Sequence, residues 1–240
     1  MWDLIIRRKL AAANWMIGAV LLFCATDRLH CQSQPKKYPK FLGRQITILE
    51  PKLDQDGFPP NDTPSSICLE GPQRQQCYSA PKGFSRETAV EVVQLSKDRP
   101  AILSSVASWG ASGWQIAFAL LRPGAGKNLD NYFPSDLSVS NQSQHAFWSD
   151  SEISDGPIFL TADYIWGPGE AHYELHRFII SAYIPWPSTY IDDQRRYYLE
   201  DRYMTVAKYD LEKGARVLDA EKREILARLR RLIPKAPPSK

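Results

Sequence analysis

Histidine, cysteine and methionine are all scarce in this chain, at four, four and three residues of 240. The scarcity narrows the chemistry. No second Cys or His pair stands at ligand spacing near Cys68 and Cys77, so a structural zinc site is not expected there. Charge of one sign is also lacking, because 30 basic residues face 27 acidic ones. The first 25 residues hold Arg7, Arg8 and Lys9 against Asp3, so removing them takes the net charge from +3 to +1. No whole-chain electrostatic case for nucleic acid survives, and nucleic acid is not expected as a partner.

Complete catalytic and nucleotide-binding motifs are missing as well. The Gly126-Lys127 pair has Leu121 where a phosphate loop needs its first glycine and Asn128 where it needs Ser or Thr. In Gly110-Ala111-Ser112-Gly113 the second glycine comes one place too early for a nucleophile elbow. Asp54-Gln55-Asp56-Gly57 lacks the later acidic ligands of a calcium loop. All three read as turns. No internal repeat or long low-complexity tract is present.

What is there begins with an address. The basic group at residues 7–9 precedes an uncharged run at residues 10–25, and these 16 residues are short for a membrane span. The pattern predicts a signal peptide over residues 1–25 and export to a secreted, periplasmic or otherwise extracytoplasmic location. Left uncleaved, the same run would tether the chain to a membrane, the one membrane partnership the sequence offers. Residues 26–42, polar and basic with Pro35 and Pro39, predict an extended linker. In an oxidising compartment Cys68 and Cys77, closing a short turn-forming segment, are expected to form a disulfide.

Residues 43–234 predict one domain, mainly β in an α+β arrangement: an antiparallel β-sandwich or twisted sheet with one C-terminal amphipathic helix. Strands are expected at residues 44–50, 65–70, 87–95, 101–109, 114–122, 157–166, 171–184 and 195–205. Two of these readings have a helical rival. The run at 114–122 is apolar on both sides, and Leu199, Tyr203, Val206 and Leu211 approximate helical spacing. The final helix, residues 212–233, shows Leu211, Leu218, Ile225 and Leu232 at intervals of seven with Leu229 in the same stripe. Residues 235–240 form a tail.

The central feature is a predicted hairpin at residues 157–184, turning at Gly167-Pro168-Gly169-Glu170. On an extended strand His172, Glu174 and His176 share one face, with neighbours ~6.5 to 7 Å apart. A four-residue corner pairs Trp166 with Ala171 and sets Asp163 opposite Glu174. Opposed carboxylates repel unless a cation, a shared proton or a charged His or Arg offsets them. Asp163, His172, Glu174 and His176 are therefore the candidate acid/base or metal-binding set, with a purely structural polar network as the plain alternative. No cofactor is expected apart from a metal ion at that face.

Trp114, Trp148, Trp166 and Trp186 fall at strand ends or in loops. Exposed, such rings form a stacking platform for sugars or an anchor for a protein; buried, they close the ends of the core. The leading expectation is thus an exported, non-catalytic binding or interaction module for a protein, glycan or surface component. A hydrolase using the His172/Glu174/His176 face and a membrane-tethered structural protein are the alternatives.

Overall fold

Long runs of β-branched and aromatic residues, broken by glycine, proline and short polar turns, become strands throughout the computed structural model, which describes residues 38–71, 74–110, 113–134, 137–140, 143–171, 174–185, 196–210 and 216–233. The strands are β1 (Ile46–Leu49), β2 (Ser66–Leu69), β3 (Gln76–Ser79), β4 (Arg86–Ser96), β5 (Arg99–Gly110), β6 (Gly113–Pro123), β7 (Leu129–Asn131), β8 (Ser138–Ser140), β9 (Gln144–Trp148), β10 (Ile158–Ile165), β11 (Arg177–Pro185) and β12 (Tyr197–Met204). A single C-terminal helix, α1 (Val217–Leu232), follows them. The fold is mainly β, as the sequence predicts, and its sheets are antiparallel.

Three sheets form, in the orders β1-β2-β3, β4-β5-β6-β7 with β8 also on β6, and β12-β11-β10-β9. Side-chain alternation sorts them into layers. Ile102, Val106, Ala119 and Leu121 of β5 and β6 pack with Ile46, Ile67 and Leu69 of the small sheet. The opposite face of the same strands, Leu103, Phe118 and Leu120, packs with Phe159 of β10 and Tyr197 of β12. The far face of the third sheet, including Leu160, Phe178 and Ile180, meets Val217, Leu218, Ile225 and Leu229 of α1. The order is small sheet, five-stranded sheet, four-stranded sheet, helix. Its two central sheets are covered on both sides, so their strands need apolar residues at successive positions. This is why the 114–122 run lacks alternation, and it is a strand rather than a buried helix.

The run predicted at 195–205 likewise resolves as a strand over Tyr197–Met204, since β12 pairs with β11 from Tyr197↔Pro185 to Met204↔Ile179 with one bulge. The domain starts earlier than predicted. Phe41 is only 1% exposed and belongs to the core around Ile67 and Leu69. It is held by a tight turn in which Phe41 and Arg44 exchange both backbone hydrogen bonds. Residues 38–42 are thus part of the folded unit rather than of a linker. Helix α1 is described from Val217; the predicted signal peptide, most of the linker, the first helical turn and the tail lie outside the described residues. No described helix is long and apolar enough to cross a membrane.

Cys68 and Cys77 form the expected disulfide, directly opposite each other on β2 and β3. Gln76 beside it ties the small sheet to the β6–β7 connection: its amide donates to the carbonyls of Gly124 (2.9 Å) and Gly126 (3.0 Å) and accepts from Arg44 (2.6 Å). Helix α1 is pinned through its polar side. Arg228 makes two hydrogen bonds to Asp201 of β12 (2.7 and 3.1 Å), and Arg230 reaches Asp150 and Glu152 (2.8 and 3.0 Å). Replacing both Cys68 and Cys77 by Ala is expected to lower the unfolding free energy by ~2 to 3 kcal/mol. A urea titration under oxidising conditions reads this, and an unchanged midpoint would contradict it.

Candidate functional site

The hairpin of β10 and β11 has the predicted partners but not the predicted register. Asp163 faces Ile179 and Ile165 faces Arg177, so the connection occupies residues 166–176. Side-chain capping is the reason. The Gly167–Glu170 turn forms, with the Glu170 amide donating to the Gly167 carbonyl (3.1 Å), but the Glu170 carboxylate folds back to accept from the Gly167 amide (2.7 Å). A second turn follows at once, in which Glu174 N–H donates to the Ala171 carbonyl (3.0 Å) while its carboxylate accepts from the Ala171 amide (3.1 Å). These local bonds compete with a strand ladder for the same backbone groups. His176 then exchanges backbone hydrogen bonds with Tyr209 (3.0 and 2.8 Å), beyond the end of β12, instead of pairing with β10.

The three described members of the candidate acid/base set, Asp163, Glu174 and His176, are consequently not on one face. Asp163 sits on β10 and accepts three hydrogen bonds, from the Ser140 amide (3.1 Å), the Ser140 hydroxyl (2.8 Å) and the Ser143 hydroxyl (2.7 Å). It thereby links Ser140 at the end of β8 to Ser143 just before β9. Glu174 is exposed on its turn, His176 is 1% exposed, and His172 lies outside the described residues. Among the described residues no cluster of three or more His, Cys, Asp or Glu could hold a metal ion.

A different group assembles instead. His176 Nδ1 lies 3.1 Å from Glu170 Oε2, and Lys208, just past β12, donates to Glu170 Oε1. The Lys208 hydrogen bond, then the Gly167 amide and, more weakly, His176 hold the Glu170 carboxyl at about 2, below its usual 4.5, against the opposing effect of burial. An ionised carboxylate only accepts, so His176 Nδ1 carries its proton. The imidazole in turn supports two aromatic rings, Tyr164 at 5.3 Å and Trp166 at 5.4 Å between centroids. Behind them, the hydroxyls of Tyr209 and Tyr203 both donate to Glu221 of α1. Burial and the Glu221 carboxylate push Tyr209 up to about 12, so it stays a donor.

In front of Trp166 lies a solvent-open recess of 450 Å³, walled by Ile165, Trp166, Pro168 and Met204 and edged by Glu170, Arg177 and Lys208. Trp166 is 44% exposed and Met204 48%. The other tryptophans differ. Trp148 is half-buried beneath Lys222, whose ammonium lies 5.2 Å from its ring, Trp114 is half-buried at the start of β6, and Trp186 lies outside the described residues. His145, exposed on β9, stands apart from the recess with its ring 4.8 Å from Phe118.

Sequence reasoning selected Trp166 and His176 but missed Glu170 and Lys208. A glutamate three places after Gly167 is a signal for the folded-back turn; nothing local marks Lys208, which is 38 positions further on.

The depressed Glu170 pKa stabilises the fold above the carboxyl's ordinary value, and this contribution disappears as pH falls from about 4.5 through about 2. Glu170→Gln is therefore expected to be less stable than wild type at neutral pH, with the gap closing across that acid window. Urea midpoints at a series of pH values measure it, and a gap independent of pH would contradict the assignment.

Comparison of the chain with protein-family models, with curated proteins and with solved structures returns no match in any of the three.

Proposed function

We propose that this protein is a non-catalytic binding module whose contact surface is the recess between the β10–β11 connection and the end of β12. The observation that carries this reading is Trp166. Its indole is 44% exposed yet rests on the ring of His176, which is itself fixed by Glu170 and by the Tyr209 backbone. An exposed aromatic anchored in this way offers a large contact area with little ordering left for a ligand to impose. Met204 and Ile165 extend the apolar wall beside it.

The hydrolase alternative draws no support from the geometry, since Asp163 is occupied by three serine donors and Glu174 by its own turn. The partner classes that suit the recess are a protein, a glycan or another surface component. An exported address for this module rests on the leader pattern at residues 1–25, and the Cys68–Cys77 bond is in keeping with an oxidising compartment.

Microarrays of neutral and acidic glycans and of peptides, probed with wild type and with Trp166→Ala, test the proposal. Removing a central aromatic anchor costs ~2 kcal/mol or more, so signals from genuine ligands are expected to fall by at least an order of magnitude. The variant should melt as the wild type does, because the ring is half in solvent. Retention by the variant of every probe that the wild type binds would overturn the assignment of the surface.

A further inference from the structure

We infer that the recess binds an acidic sugar ring of the hexuronate type, with its apolar face on Trp166 and its carboxylate on Arg177; the inference rests on the binding-module reading and names its ligand. The charges around the recess are unequal in their commitments. Lys208 is spent on Glu170, whose other oxygen takes the Gly167 amide and His176. Glu174, on the same connection, turns its carboxylate onto the Ala171 amide. Arg177, the first residue of β11, borders the recess, is exposed, and makes no ion pair among the described residues. Among the residues that line the recess the Glu170–Lys208 pair is neutral as a unit, so Arg177 leaves the lining with one positive charge.

Three chemical requirements follow. The single guanidinium fork matches one carboxylate through two parallel hydrogen bonds, so the ligand unit is a monoanion. The exposed indole and the Met204 thioether offer a flat apolar wall, which suits the C–H face of a pyranose. The open side of the recess leaves hydroxyl groups in water, so they need no buried partners. A volume of 450 Å³ falls within the roughly 300 to 1,000 Å³ typical of small-ligand pockets. A peptide carboxylate satisfies the first requirement, but its flexible stem presents no ring face to the indole.

Titration calorimetry of the full chain with trigalacturonate, with the corresponding neutral galactose trisaccharide and with a triglutamate peptide tests the inference. Trigalacturonate is expected to bind about tenfold or more tightly than either competitor, and to weaken as salt is raised. Arg177→Gln should lose about tenfold or more in affinity, Arg177→Lys should recover part of it, and Trp166→Ala should abolish it. Equal binding of the neutral sugar, tighter binding of the peptide, or indifference to Arg177→Gln in a variant that melts normally would each overturn the acidic-sugar assignment. If trigalacturonate fails while other array probes bind in a Trp166-dependent manner, only the ligand class falls. If nothing binds through Trp166, the module reading falls with it.

Discussion

One carboxylate sets the shape of the proposed binding region. Glu170 gathers the Gly167 amide, the Lys208 ammonium and the His176 imidazole around a single group, and each contact closes a different length of chain. The first folds the Gly-Pro-Gly corner, the second draws in the segment after β12, and the third fixes the ring that carries Trp166. Together they give the turn, the strand end and the aromatic wall a common point of attachment, beside the backbone bridge between His176 and Tyr209. Lys208 pairs with Glu170, while Arg177 at the edge of the recess makes no ion pair among the described residues.

The layered stack behind the recess gives this arrangement a firm base. β10 and β11 are covered on one face by the five-stranded sheet and on the other by α1. Their ends are therefore fixed by packing on both sides. Helix α1 contributes beyond its apolar stripe, because Glu221 accepts from Tyr209, the residue whose backbone holds His176. A chain of contacts thus runs from the helix through Tyr209 and His176 to the exposed indole.

Much of this architecture could be read from residue patterns, and the failures have specific physical causes. Strands such as β5, β6 and β10 were legible from β-branched and aromatic runs, and the helix from Leu218, Ile225 and Leu229 in one stripe. The order of the layers was not legible, since contacts such as Phe118 against Phe159 join residues far apart in the chain. The hairpin register was misread because the residues from Ala171 to His176 have the composition of a strand, while the decision rests on where two glutamate side chains turn. That choice is made by Glu170 and Glu174 capping their own turns, which strand propensity does not register. The tryptophans show the same limit: Trp148 and Trp166 both flank strands, yet one lies under Lys222 and the other opens to solvent.

The ring protonation of His176 reports on the central carboxylate most directly. Two-dimensional ¹⁵N–¹H spectra at neutral pH, with the signals assigned by comparison with His176→Gln, distinguish the two imidazole nitrogens. The contact with the Glu170 carboxylate requires a protonated Nδ1, the position facing Oε2 at 3.1 Å. An unprotonated Nδ1, with the proton on Nε2 alone, would mean that Glu170 does not hold the ring and would contradict the central role given to that carboxylate.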